Sequence, residues 1–214
     1  MLWEVLLVKI MEPKVSNTIE YSLLDAKREN NFNSMLFKDN TLKDIEIKNV
    51  TIDSCVFKNI DFNNITIDNI ELVDVFFENC DLSNKKFDNT IIDRVKFINC
   101  KLCGVSFIDA SLRNISFEEC NAKYINFSGA RISKMFISES DFTEMCFLEN
   151  NIKELELNNV NLTNAEIFKT NLENIDFSTC KIDNIMLDYD SIKGIVIDKF
   201  QAIDLVGMLG VKIK

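Results

Sequence analysis

The chain has 214 residues, 47% of them hydrophobic, and 34 Asp and Glu against 24 Lys and Arg give it a formal net charge of −10. That length and apolar content suit a single domain with a sizeable core. The acidic excess argues against non-specific binding to nucleic acid or docking on anionic lipid, both of which need an excess of Lys and Arg. Histidine is absent, which removes His-based triads, general bases and metal ligands together.

At the start of the chain, Glu4 and Lys9 bracket only four apolar residues, too short for the apolar segment of a signal peptide. No stretch approaches the ~20 apolar residues of a membrane span, so no membrane association is expected. A cytoplasmic location is expected, and the seven cysteines are then expected to be thiols. Residues 1–31 should form an N-terminal cap or extension, with a short strand or helix over whatever follows. Met11 is an alternative start, which would make Met1 to Ile10 an upstream extension.

From Phe32 a repeat takes over. Every fifth residue, from Phe32, Phe37, Leu42, Ile47 and Ile52 through to Ile182, Leu187, Ile192 and Ile197, is apolar at all 34 positions. Chance at this composition gives that with a probability of roughly 10⁻¹¹. A period of five fits neither a helix nor a strand. It fits a chain that turns a corner every five residues and stacks on itself. Two residues before each centre the side chain is mostly small or β-branched, as in Val75, Cys80, Val95, Cys100, Val105 and Ala110, and should also point inward. Two residues after it Asn dominates, as in Asn49, Asn59, Asn79, Asn99 and Asn114. Asn tolerates turn conformations, which explains how the chain bends with only five Gly and one Pro.

A longer period sits inside the first. Phe37, Phe57, Phe77, Phe97 and Phe117 are twenty apart, and Phe87, Phe107, Phe127 and Phe147 repeat the spacing with an offset of ten. Twenty residues per coil means four sides, so two Phe ladders should face each other between aliphatic walls. The expected fold is all-β, a quadrilateral β-helix over residues 32–198 with about 8 coils. At the ~4.8 Å strand spacing that is a rod roughly 40 Å long.

Segments such as Cys80-Asp-Leu-Ser-Asn84, Ala110-Ser-Leu-Arg-Asn114 and Val160-Asn-Leu-Thr-Asn164 are close to A(D/N)Lxx, and the chain resembles the pentapeptide-repeat family. The resemblance implies a right-handed coil. Register ends after Ile197. Residues 199–214 then read as a short C-terminal helix, with Phe200, Ile203, Leu205, Val206 and Leu209 at helical spacing. Val211-Lys-Ile-Lys214 alternates like a strand. That ending resembles Qnr- and MfpA-like proteins, which implies a homodimer through Phe200, Ile203, Leu205, Val206, Leu209, Val211 and Ile213. The alternative is a cap that only covers the last coil.

Candidate chemistry is sparse. Cys100-Lys-Leu-Cys103 is formally a CxxC, but Cys100 should point inward and Cys103 outward, so the two diverge. Cys80, Cys100 and Cys120 are inward residues of one side in consecutive coils. They read as a packing ladder, with adjacent rungs within disulfide reach as the alternative. Lys85, Asn150 and Asp190 break the small-apolar rule, and bulges or solvent-exposed corners are expected there. No catalytic residue, cofactor or metal is expected, and the chain is not expected to be an enzyme.

Charge is more informative once sorted by side. The side centred on Phe37 to Ile197 carries Glu118, Glu119, Glu139, Glu156, Asp176 and Asp198 in its second half, whereas Arg94, Arg113, Arg131, Lys134 and Lys153 offset the acids of the aliphatic side. An acidic stripe on a rod of duplex width is the feature behind DNA mimicry in Qnr- and MfpA-like proteins. The resemblance therefore implies binding to DNA gyrase or topoisomerase IV, with no direct nucleic-acid binding, and quinolone resistance as the associated activity. The register has no room for the two projecting loops of Gram-negative Qnr proteins, which brings the chain nearer the loop-free Gram-positive type. The alternatives are a solvated face with no partner and a structural or protein-interaction scaffold with another partner.

Overall fold

A residue that must be buried at every fifth position, followed two places later by one that must turn, winds the chain into a square coil. The computed structural model describes residues 8–40, 44–208 and 211. Paired strands run parallel, and in the coil the register steps by twenty residues, so Ile92 lies between Leu72 and Leu112, and Phe97 between Phe77 and Phe117. The result is a β-solenoid of about eight turns. Four faces follow from the centres: face A (Phe37 to Ile197), face B (Phe62 to Ile182), face C (Ile47 to Leu187) and face D (Phe32 to Ile192). Leu42, a centre of face B, lies outside the described residues.

The strands are β1 (Ile19–Glu20), β2 (Met35–Asn40), β3 (Ile45–Asp53), β4 (Val56–Ile60), β5 (Ile65–Glu78), β6 (Ile91–Ile98), β7 (Ser111–Glu118), β8 (Arg131–Ser138), β9 (Cys146–Leu148), β10 (Asn151–Asn158), β11 (Glu166–Phe168) and β12 (Met186–Leu187). Most of them stack into one sheet in the order β1-β2-β4-β5-β6-β7-β8-β10, with β3 on β5, while β9, β11 and β12 form a second sheet. Long strands run across faces D and A together, through a left-handed corner residue such as Arg94 (φ 54°) or Asn114 (φ 54°). Faces B and C instead end in hydrogen-bonded turns, such as Val105 N–H to Leu102 O at 3.1 Å and Ala110 N–H to Phe107 O at 3.1 Å. Those turns leave short bridges between coils.

The corner residues explain the Asn bias. Asn59, Asn79, Asn89, Asn99 and Asn164 all have φ between 50° and 60°, a region that Asn enters at less steric cost than other side chains. Stacked corners also bond to each other. Asn99 Nδ2 donates to Asn79 Oδ1 at 2.7 Å, and Asn79 Nδ2 donates to Asn59 Oδ1 at 3.2 Å.

Inside, the two Phe ladders face each other. On face A the rings of Phe37, Phe57, Phe77, Phe97 and Phe117 stack at 4.9–5.1 Å. On face C Phe87, Phe107 and Phe127 stack at 5.2–5.3 Å. Edge-to-face pairs join them across the core, as in Phe107–Phe117 at 6.3 Å and Phe117–Phe127 at 6.1 Å. Past Phe117 the face A ladder turns aliphatic with Ile137 and Leu157, which sit beside a small cavity closed by Leu172 and Phe177. Among the described residues β10 pairs only with β8. Its Ile152, Leu155 and Leu157 are half-buried, whereas Ile132, Met135 and Ile137 one coil earlier are buried.

Each end is covered. Helix α1 (Leu23–Glu29) starts at Ser22, stops at the left-handed Asn30, and lays Leu23 and Ala26 on the first coil. A four-residue helix, α2 (Tyr189–Ile192), forms within the last repeats, so a helical turn replaces the strand there although the five-residue register continues. Helix α3 (Gln201–Met208) closes the far end. Asp198 Oδ1 accepts from Gln201 N–H at 2.9 Å while Gln201 Oε1 accepts from Asp198 N–H at 2.9 Å, a reciprocal cap at the helix start. Gln201 Nε2 also donates to Phe177 O and Cys180 O, both at 2.8 Å, which satisfies carbonyls of the last coil.

Two expectations need correction. Asn150 is neither exposed nor on a bulge. It is buried, its Nδ2 donates to Phe127 O, and its backbone N–H reaches Thr170 Oγ1 at 3.1 Å. An amide fits an inward position when backbone carbonyls are within reach. Leu205, expected in a dimer interface, is only 4% exposed within its own chain, because helical geometry turns it with Gln201 onto the last coil. Lys85 is half-buried, and its Nζ donates to Ile65 O at 2.9 Å, while Asp190 is exposed on α2.

Candidate interaction surface

The six acids of face A fall in three columns rather than one line. Glu156 and Asp176 precede their centres by one residue, Glu118 and Asp198 follow by one, and Glu119 and Glu139 sit at the corners, with φ 55° and 46°. Together they place at least one carboxylate on each of five successive rungs, about one per 4.8 Å along the axis. A single DNA strand carries one phosphate per ~3.4 Å, so the charge density is of similar order.

The fold half-buries three of these acids, Glu118, Glu156 and Asp198. Glu118 pairs with Lys96 at 2.8 Å. Burial alone would lower the Lys96 pKa, but Glu118 and then Glu12 outweigh it and hold the ammonium above its ordinary range. Asp198 is the cap of α3. Glu156 Oε2 accepts the backbone N–H of Val8 at 2.6 Å. Glu119, Glu139 and Asp176 are exposed, with Glu139 Oε1 accepting from Asn159 Nδ2 at 2.6 Å and Asp176 Oδ1 from Ser178 N–H at 2.8 Å.

The bond from Val8 belongs to a feature that sequence reasoning missed. Residues 8–14 run along the rod, over the corner between faces D and A, opposite in sense to the progress of the coils. Val8 bonds Glu156, Lys9 O accepts from Lys134 Nζ at 3.4 Å, and Met11 N–H donates to Asn114 Oδ1 at 3.2 Å. Glu12 pairs with Lys96 at 3.4 Å, and Lys14 N–H donates to Asp74 Oδ1 at 2.9 Å. Beneath it Arg94 holds Asp74 through two bonds of 2.6 and 2.8 Å and also contacts Asp93. Arg113 Nε donates to Asp93 at 2.8 Å. Asp74 is held below the usual carboxylate range first by Arg94 and then, against the effect of burial, by Lys14 N–H. The signal was present in the sequence: at this corner, from position 74 to 154, Asn gives way to Asp74, Arg94, Lys134 and Glu154, with only Asn114 kept.

The thiol ladder is buried. Cys80, Cys100 and Cys120 are each at most 3% exposed. Cys100 is held far above the ordinary thiol range by its neighbours Cys120 and Cys80 and by burial, and burial pushes Cys55 up to about 11. Thiols raised in this way are poor nucleophiles, whereas hydrogen bonding with Cys100 lowers Cys80 and Cys120. Cys103 points outward, toward Asn121, so the CxxC does not converge.

Of the expected dimer residues, Phe200 (68% exposed), Ile203 (54%) and Val211 (53%) present apolar surface. Val206 is half-buried and Leu205 is buried. Leu209 and Ile213 lie outside the described residues, as does most of the expected tail strand. No helix of the described residues is long and apolar enough to cross a membrane.

Among solved structures, full-length QnrB1, a plasmid-mediated fluoroquinolone resistance protein, is similar with 18% identity over 85% of this chain and 93% of that one, TM-score 0.48. Rfr23, a pentapeptide repeat protein from the cyanobacterium Cyanothece 51142, is similar with 15% identity over 55% and 91%, TM-score 0.36. HetL, a pentapeptide repeat protein involved in heterocyst differentiation regulation from Nostoc sp. strain PCC 7120, shares 14% identity over 82% and 95%, TM-score 0.29. At these identities and scores none of the three carries a functional argument. No curated protein matches the sequence. Residues 70–141 match the family described as the pentapeptide repeat region. With an unbroken five-residue register, four inward ladders and left-handed corners, the chain is a pentapeptide-repeat protein.

Proposed function

We propose that the protein is a non-catalytic, DNA-mimic-like binder of a type II topoisomerase, DNA gyrase or topoisomerase IV, through the acidic part of face A. The observation that carries this reading is the presence of carboxylates on five successive rungs of the coil in a chain of net charge −10. A basic groove shaped for a duplex meets a comparable spacing of negative charge. Glu119, Glu139 and Asp176 are the exposed contacts. The protein would act as a homodimer joined at the C-terminal ends, since Phe200, Ile203 and Val211 are apolar side chains left exposed near that end. All seven cysteines are free thiols, which suits the cytoplasm.

A second reading, a scaffold for some other protein, draws support from one observation: Glu118, Glu156 and Asp198 already have partners within the chain. A gyrase supercoiling assay with and without quinolone separates the two. The topoisomerase reading expects inhibition or drug protection at micromolar protein that is lost in the Glu119→Lys, Glu139→Lys double variant. No effect, or an effect that the double variant retains, would sink it and leave the scaffold.

A further inference from the structure

Residues 8–14 meet five rungs of the coil in order: Lys14 at Asp74, Glu12 at Lys96, Met11 at Asn114, Lys9 at Lys134 and Val8 at Glu156. Four rung intervals span ~19 Å, and six steps of extended chain at ~3.2–3.4 Å span about the same. The segment therefore stays in register at about one and a half residues per rung. The N–H groups of Val8, Met11 and Lys14, three residues apart, fall on acceptors two rungs apart. Lysines on the rungs between meet a carbonyl and a carboxylate. Pro13 falls where no N–H is called for, so the ladder reads the backbone of an extended chain and tolerates proline there.

The attachment is polar and superficial. Lys9, Met11, Glu12 and Lys14 are exposed, and only Val8, Ile10, Pro13 and Val15 are half-buried. Segments with few buried contacts open at the low end of local stability. The segment also lies on the edge of the acidic part of face A. It takes up Glu156 directly, and its Glu12 shares Lys96 with Glu118.

We propose that residues 8–14 are a detachable strap, a ligand held in cis on this corner ladder, which competes with the basic partner for the edge of face A that carries Glu118 and Glu156. Release leaves Glu156 without the Val8 N–H and opens the corner to the partner. The inference rests on the topoisomerase reading above.

The test uses the full chain with Glu12→Lys, which sets two lysines against each other at Lys96, and separately with Ile10→Asp, which removes a half-buried strap contact. Hydrogen exchange across residues 8–14 reports the strap, exchange across the Phe97 and Phe117 strands reports the fold, and titration against the topoisomerase reports binding. Release should speed exchange of the strap by roughly tenfold with the core unchanged, and tighten binding about threefold or more. The charge change of Glu12→Lys, from −10 to −8, would by itself weaken binding to a basic surface, so tighter binding has the sign of release and not of charge. Faster strap exchange with equal or weaker binding in both variants overturns the strap inference and leaves the topoisomerase reading standing. A wild-type strap that exchanges as fast as free peptide overturns it too. Absence of binding by the wild type and both variants overturns the functional reading and the inference together.

Discussion

Phe117 is the best place to ask what the aromatic ladders contribute. Its ring is fully buried. It stacks on Phe97 at 5.1 Å and meets Phe107, Phe127 and Phe142 edge-on at 6.3, 6.1 and 5.6 Å. Phe117→Ala should cost about 4–5 kcal/mol, the upper part of the usual range, because stacked coils above and below limit collapse into the void. Phe117→Leu keeps most of the apolar volume but loses ring geometry. With four aromatic partners at ~0.5–1.5 kcal/mol each, not fully additive, it should cost about 2 kcal/mol. Urea unfolding followed by far-UV circular dichroism measures both. Phe117 lies mid-rod, and solenoid stability is a sum over neighbours, so the Ala variant should also show a broadened or two-step transition as the two halves uncouple. A Leu variant within 0.5 kcal/mol of wild type (about the size of an ordinary surface effect) would refute the claim that aromatic geometry adds to aliphatic packing.

Three further predictions concern the corner, a turn and the far end. Asp74 and Asp93 both have lowered pKa values: Arg94 is the main cause for Asp74, and at Asp93 Arg113, Asn114 and Arg94 outweigh an opposing burial effect. Their stabilisation is therefore present above the unfolded carboxylate value of about 4 and lost as pH falls through the lower folded values. The urea midpoint should drop on acidification below about pH 4, and Asp74→Asn should flatten that drop. At Gly129, with φ 73°, an added Cβ would come within 2.2 Å of Asp109 Oδ1, so Gly129→Ala should cost about 1–2 kcal/mol, seen as a lower melting temperature. At the C-terminal end, Phe200→Asp with Ile203→Asp should turn a dimer into a monomer by analytical ultracentrifugation with the melting temperature of the monomer little changed. Leu205→Asp should instead destabilise the chain by about 3 kcal/mol or more, because it buries a carboxylate against the last coil.

The coil itself was legible in the sequence because it depends on a one-dimensional pattern. Each centre from Phe32 onward needs only to be apolar, and each corner needs only to tolerate left-handed backbone. Asn79, Asn99 and the Phe at 97 and 117 state both requirements without reference to anything distant. The paired Phe ladders followed from the twenty-residue spacing for the same reason. The acidic side was legible as a list of residues but not as a surface. Whether Glu118, Glu156 or Asp198 faces solvent depends on Lys96 one coil away, on Val8 at the other end of the chain, and on a helix cap.

A five-residue period thus determined that this protein is a square β-helix, where its core lies and which residues share a face. Those are consequences of local turn chemistry repeated in register. Tertiary structure alone decided that residues 8–14 lie along the rod, that Asn150 is buried and that Leu205 belongs to the cap. It also decided that Glu118, Glu156 and Asp198 are half-buried while the other three acids are exposed. Each of those depends on a contact between elements with no common period, such as Val8 with Glu156 or Gln201 with Phe177, and no repeat in the sequence encodes such a contact.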